Sequence, residues 1–165
     1  MDALRHGWPL AFEGGPTLLP VETAIAQGAS APRMLISAAR AATLKLANQR
    51  EAAIPHAPVL IAGGEDFTMR DALPIADPAL DLGNPLKGPF KAVTLDWEES
   101  ARAALELARI AGILPAFLVD PMDAGEVVPV AVSDLAAYSA AGALRIVTRA
   151  RLPVSACEDA ELSLI

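Results

Sequence analysis

Residues 96–119, Asp-Trp-Glu-Glu-Ser-Ala-Arg-Ala-Ala-Leu-Glu-Leu-Ala-Arg-Ile-Ala-Gly-Ile-Leu-Pro-Ala-Phe-Leu-Val, decide the fold. Asp96 stands where it can cap a helix, and Glu99, three residues on, can complete a capping box. Over residues 97–111, Ala101, Ala104, Leu105 and Ala108 recur at helical spacing on one face. Glu98, Arg102 and Glu106 follow at i+4 steps on another. Gly112 is the expected stop. Residues 114–119 then read as a strand, so helix passes directly into strand. Leu105, Ala108, Leu114 and Phe117 are expected in the core. The charged stripe is expected in solvent, with ion pairs worth about 0.3 kcal/mol each rather than an acid–base site.

The same alternation extends toward the N-terminus. Residues 2–6 can form a short helix stopped by Gly7, residues 9–12 a strand, Glu13-Gly14-Gly15-Pro16 a tight turn and residues 17–20 a returning strand. Residues 33–37 form an apolar strand-like run, and the Ala-rich residues 38–46 a helix, which together suggest an α/β unit. Residues 57–62 are a further strand closed by Gly63-Gly64. Between residues 73 and 90, proline and glycine are dense enough to predict a long, ordered surface loop.

Beyond residue 119, a polar turn leads to a strand over 127–132. Ser133 is read as the cap of a helix over 134–141 stopped by Gly142, and residues 144–148 as a last strand. At least five strands interleaved with three or more helices predict an α/β (α+β) domain, a mixed sheet covered by helices. The main domain is expected over 1–150. Residues 151–165 are expected to begin a truncated second domain or to form a C-terminal tail.

A chain of 165 residues is long enough to bury its own core. Hydrophobic residues make up 53% of it and aromatics only 4%, so that core must be built from Ala, Leu, Val and Ile. The net charge of -7, with scattered Lys and Arg, leaves no basic stripe for nucleic acid. No apolar run is long enough to span a membrane and the first residues lack a signal-peptide layout, so a cytoplasmic protein is the expectation.

The residues offer no convincing catalytic set. Cys157 is the only cysteine, and its neighbours Glu158 and Asp159 disfavour a thiolate. His6 and His56 stand apart from other metal ligands in sequence and read as surface or capping residues. Gly63-Gly64 lacks the rest of a phosphate-loop pattern and reads as a plain turn. No serine sits in a Gly-x-Ser-x-Gly elbow, Ser100 and Ser133 reading as helix-start residues. Glu13 and Glu22 flank the first turn and read as a chance pair rather than an acid–base pair. No catalytic, cofactor-binding or metal-binding residue is therefore assigned.

Residues 105–116 resemble the Asp-Leu-Ala-Arg-Leu-Ala-Gly-x-x-Pro-Ala run of 3,4-dihydroxy-2-butanone 4-phosphate synthase. In that family a His-Thr-Glu-Ala motif that binds metal and substrate directly precedes the run. Its four residues fall here at Ser100, Ala101, Arg102 and Ala103. Arg5-His6-Gly7 and Leu18-Leu19-Pro20-Val21-Glu22-Thr23 resemble the family's opening strand and its Ile-Phe-Pro-Ala-Glu-Thr run. Between those segments the family carries an acidic loop that grips metal and sugar phosphate, where this chain has only Glu13-Gly14-Gly15-Pro16.

Residues 77–90, Asp-Pro-Ala-Leu-Asp-Leu-Gly-Asn-Pro-Leu-Lys-Gly-Pro-Phe, resemble the synthase-like N-terminal domain that precedes GTP cyclohydrolase II in some bacterial riboflavin-pathway proteins. Residues 145–153 resemble the junction into the cyclohydrolase half. The resemblance implies the synthase fold and a domain inactive by itself, serving dimerisation or support of a hydrolase that opens the GTP imidazole ring and releases formate and pyrophosphate. It implies a homodimer with the cyclohydrolase domain in cis, and zinc only in that domain. An active synthase acting on ribulose 5-phosphate is the alternative. A small-ligand binding protein using the Pro-rich loop is a third possibility.

Overall fold

The structure is a computed structural model that describes residues 1–24, 28–64, 67–85, 87–122, 125–139, 148–151 and 161–164. The chain divides into two compact units, Met1–Val132 and Ser133–Ile165.

The first unit is built on a seven-stranded sheet of order β5-β4-β3-β6-β2-β1-β7. Its strands are β1 (Leu10–Phe12), β2 (Thr17–Pro20), β3 (Arg33–Ile36), β4 (Val59–Ala62), β5 (Lys91–Val93), β6 (Ala116–Val119) and β7 (Val128–Val130). Every pairing is antiparallel except β1 with β7. The sheet is therefore mixed, and the α+β class expected from the sequence holds. Around it run α1 (Asp2–Arg5), α2 (Ala38–Thr43), α3 (Met69–Ala76) and α4 (Glu98–Ala111).

Side chains alternate across a sheet, so each buried strand feeds two layers. Leu19, Met34, Ile36, Val59, Ile61 and Leu118 form one core with Ala41 of α2 and Met69, Ala72 and Ile75 of α3. Their sequence neighbours Leu18, Leu35, Leu60, Phe117 and Val119 are no more than 1% exposed on the other face. The remaining buried helical surfaces, Leu4 of α1 and Ala101, Ala104 and Ala108 of α4, supply the cover for that second layer.

The decisive stretch keeps its helix and its stop, but shifts its start and its buried face. Trp97 is the N-cap of α4 and makes no side-chain capping bond, so neither Asp96 nor Glu99 caps as expected. Gly112 ends α4 in the left-handed conformation at φ 74°, which an L side chain adopts only under strain. Leu105 is only half-buried, whereas Ala103 and Leu107 are buried. The inward stripe is thus centred nearer residues 100, 104, 107, 108 and 111 than the alanine spacing suggested. Leu114 is half-buried too, outside β6, while Phe117 is fully enclosed. Glu106 is half-buried and pairs with Arg109 at i+3; Arg102 pairs with Glu98.

The short helix and hairpin at the N-terminus follow the sequence reading: α1 gives way to Gly7 at φ 73°, and β1 and β2 pair with Leu10 opposite Leu18. Ser37 belongs to the helix rather than the preceding strand. Its hydroxyl caps α2 by accepting from the Arg40 amide. The expected α/β unit is also corrected, since β3 and β4 pair antiparallel although α2 lies between them. Residues 37–58 are long enough for a parallel crossover, but α2 does not carry the chain back to the starting end, and Val59 enters β4 opposite Ile36, where β3 finishes.

The long loop expected over residues 73–90 begins inside a helix. α3 extends to Ala76 with Pro74 within it, and Pro78–Leu80 makes a 3-10 turn. Thr68 and Asp71 form the capping box at the start of α3, a pattern the sequence reading passed over. In the strand that follows, Gln49 reaches β5 from outside: its Nε2 donates to the Phe90 carbonyl and its Oε1 accepts from the Ala92 amide.

In the second unit, α5 (Val132–Ser139) contains Ser133 within the helix rather than as its cap, and β8 (Thr148–Arg151) pairs antiparallel with β9 (Glu161–Leu164). Gly142 and the greater part of the strand expected over 144–148 lie outside the described residues. Among the described residues, no helix is long and apolar enough to cross a membrane.

Candidate functional site

Among the described residues, chemistry-bearing side chains come together at several places, two of which bear on the sequence expectations. The first joins the β1–β2 turn to the start of α4. A Cβ placed on Gly15 would stand 3.4 Å from both Cβ and Oγ of Ser100, so the turn lies directly against the serine, which is buried. Only Glu13 contributes a carboxylate to this turn. Arg102, two residues on from Ser100, is occupied elsewhere: it donates to Glu98 at 2.6 Å and to the His56 carbonyl at 3.2 Å. A hard divalent cation takes six or more oxygen ligands, and one carboxylate with one hydroxyl does not fit it.

Glu22 does not join Glu13. The hairpin register carries Glu22 to the far end of β2, on the order of 15 Å from the turn at about 3.3 Å per residue. There its carboxylate accepts from the Leu114 amide at 2.5 Å and ties the β2 exit to the approach of β6. The pair is not an acid–base set.

The second place is a cleft of about 850 Å³ between the end of β4, α3 and residues 84, 85 and 87–90, bordered by Gly64, Arg70, Asn84 and Lys87. A neighbouring cleft of about 460 Å³ lies against residues 43–49 and shares the 84–90 segment, including Lys87. The segment is therefore a strap with a hollow on each side.

Arg40 anchors the start of that strap. Its residue is only 6% exposed, and its guanidinium donates to the Ile75 carbonyl at 2.5 Å and to the Pro74 carbonyl at 3.2 Å. These carbonyls belong to the last turn of α3, where no further helical amides remain to donate to them. The same guanidinium grips both oxygens of Asp81, at 2.8 and 2.6 Å. Lys87 bonds the same carboxylate. Arg40 first, and Lys87 second, hold the Asp81 carboxyl well below the usual carboxylate range. At the other end of the strap stand the two Gln49 bonds to Phe90 and Ala92.

Nothing in the sequence pattern singled out Arg40, because an arginine in an Ala-rich helix reads as a solvated residue. The available signal was its place one turn after the capping Ser37, on the same side as buried Ala41. Lys87 lay inside the segment used for the family resemblance, without a role assigned to it.

Gly63 is a packing glycine. A Cβ there would collide with Phe67 at 2.5 Å, and its amide donates to the Pro32 carbonyl. That amide is therefore engaged, which favours the plain-turn reading of Gly63-Gly64. His6 Nδ1 lies 2.8 Å from the Asp2 carbonyl and its ring stands beside Trp8, consistent with a capping residue at the end of α1. His56 is exposed in a left-handed turn at φ 62°. Cys157 lies outside the described residues. Among the described residues, no three His, Cys, Asp or Glu side chains gather in a metal-holding group. No protein-family model matches this chain, and no curated protein or solved structure matches it either.

Proposed function

We propose that this chain is a non-catalytic, synthase-like domain of a riboflavin-pathway GTP cyclohydrolase II. It serves homodimeric association and support of a cyclohydrolase half in cis, which would carry the zinc. The observation that carries the reading is the contact between Gly15 and Ser100. The sequence resemblance assigns the synthase's acidic loop to one of these positions and its metal-binding histidine to the other, and the two segments are far apart in the chain. Their juxtaposition is what a shared architecture requires. Glycine and serine in place of an acidic loop and a histidine leave no ligand set for the metal that polarises the sugar oxygens.

The test is a formate assay on the purified chain with magnesium and ribulose 5-phosphate. Formate release stays at background, and GTP incubated with the chain stays intact. Metal-dependent formate production that disappears in Glu13→Gln or Glu22→Gln would overturn the reading and make the chain an active synthase. Light scattering at micromolar concentration is expected to give the mass of a dimer.

A further inference from the structure

We infer that the cleft between β4, α3 and the strap is a binding site for a small phosphate-bearing anion, received by Lys87 with Arg70 on the opposite wall. This inference stands independently of the riboflavin-pathway reading.

Asp81 is held redundantly. Arg40 satisfies both oxygens of Asp81 with a bidentate grip, the geometry in which a guanidinium matches a carboxylate best. Lys87 then adds a second cation to an oxygen already bonded. One carboxylate faces two cations, so the triad carries one positive charge in excess. If Lys87 turns away, Asp81 keeps its stronger partner and no buried charge is orphaned. Exchange of Asp81 for an incoming anion therefore costs little on the protein side.

Lys87 is placed for that exchange. Its side chain is 9% exposed, it borders both clefts, and two of its three donors have no protein acceptor among the described residues. A lysine on a flexible stem can follow an anion as a point charge, as it does in phosphate sites generally. Its partial burial strengthens the attraction relative to bulk water. On the facing wall, Arg70 lines the larger cleft and makes no hydrogen bond or salt bridge among the described residues, although its charge acts on the neighbouring Asp71 carboxylate, which lines the same cleft.

The acidic groups nearest these two cations are already committed. Asp71 accepts from the Thr68 amide and hydroxyl at the start of α3, and Asp81 is held by Arg40. Phe67 and Phe90 also border the cleft, so the non-phosphate part of a small ligand meets apolar surface. A phosphate monoester with a compact organic body matches this lining. Glu65 and Asp66 follow Gly64 in sequence and lie outside the described residues, which makes a divalent cation the competing ligand for the experiment to exclude.

The experiment uses the full chain, with inorganic phosphate and phenyl phosphate as probes, followed by isothermal titration and by amide chemical shifts. Both probes are expected to bind saturably, phenyl phosphate more tightly, and to shift the amides of Gly64, Arg70 and Lys87. Lys87→Gln is expected to weaken binding at least tenfold and Arg70→Gln several-fold, while Lys91→Gln, at the exposed start of β5, leaves it unchanged. Because Arg40 still holds Asp81, Lys87→Gln keeps the wild-type melting transition. Should that variant fail to fold, Arg70→Gln alone decides. The inference is overturned by absence of saturable phosphate binding, by a folded Lys87→Gln with wild-type affinity, by shifts confined to another surface, or by magnesium binding without phosphate.

Discussion

The inward face of α4 makes a quantitative prediction about two leucines only two residues apart. Leu107 is 8% exposed, whereas Leu105 is half-exposed and borders a groove with His56, Arg102 and Pro115. Truncating a buried leucine to alanine removes its transfer energy and leaves a cavity, so Leu107→Ala should cost about 3 kcal/mol. At Leu105 part of the side chain already meets water, and truncation should cost about 1 kcal/mol. The unit to which both belong, Met1–Val132, has an unfolding entropy of about 0.28 kcal/mol/K at its midpoint by per-residue scaling. The expected drops in Tm are therefore about 10 °C for Leu107→Ala and about 3–4 °C for Leu105→Ala. Urea unfolding followed by circular dichroism should give the same order with an unchanged slope, since neither substitution alters the surface exposed on unfolding by much. Equal costs, or a larger cost at Leu105, would refute the assigned phase of the helix and restore the face inferred from alanine spacing.

Four further outcomes follow from local geometry. Thr68→Ala removes the side-chain half of the α3 capping box and should cost about 1 kcal/mol in urea unfolding. The Thr68 hydroxyl, and then its amide, lower the pKa of Asp71 from the 3.8 of an unperturbed group. The folded state therefore favours the charged carboxylate, and the stability Asp71 contributes is whole above that unfolded pKa and is lost as pH falls through the lower folded value. Asp71→Asn should flatten that acid limb, which acid titration of the melting temperature checks. Gly112→Ala should cost about 1 kcal/mol through backbone strain alone, because no atom lies within 4 Å of an added Cβ; Gly112→Asn should recover part of the loss in a thermal melt. Arg40→Gln should expose the strap to limited proteolysis between Asp81 and Phe90 at protease levels that leave the wild-type chain intact, and equal resistance would show that Arg40 does not anchor it.

The elements that the sequence revealed are those whose boundaries depend on local chemistry. Gly112 must adopt a left-handed conformation, the Glu13–Pro16 turn must reverse the chain, and the apolar runs of β3, β4 and β6 are continuous because both faces of the sheet are covered. Features set by distant partners were harder to see. Pro74 removes one amide from α3 and argued for a loop, but near the end of an eight-residue helix that loss is confined to one bond while Met69, Ala72 and Ile75 remain buried. The antiparallel pairing of β3 with β4 was hidden because strand–helix–strand order resembles a parallel crossover. Asp96 had the right chemistry one residue too early, and Trp97 takes the N-cap position. The strap escaped the reading for a similar reason: a buried arginine becomes visible only once Asp81 and the carbonyls of α3 are brought beside it.

The side-chain amide of Gln49 stands against β5 where a further strand would otherwise lie. At the opposite margin of the sheet, β7 carries the exposed Pro129, and the Val128 amide already points inward to the Pro9 carbonyl. The position facing outward therefore has no hydrogen to offer. One margin is occupied by an internal mimic of a peptide group, and the other lacks a donor at Pro129. A second copy of this chain cannot readily continue the sheet across either border. Within the Met1–Val132 unit, self-association is therefore left to helices and loops rather than to these two sheet margins, which keeps it separate from the backbone templating that leads to fibres.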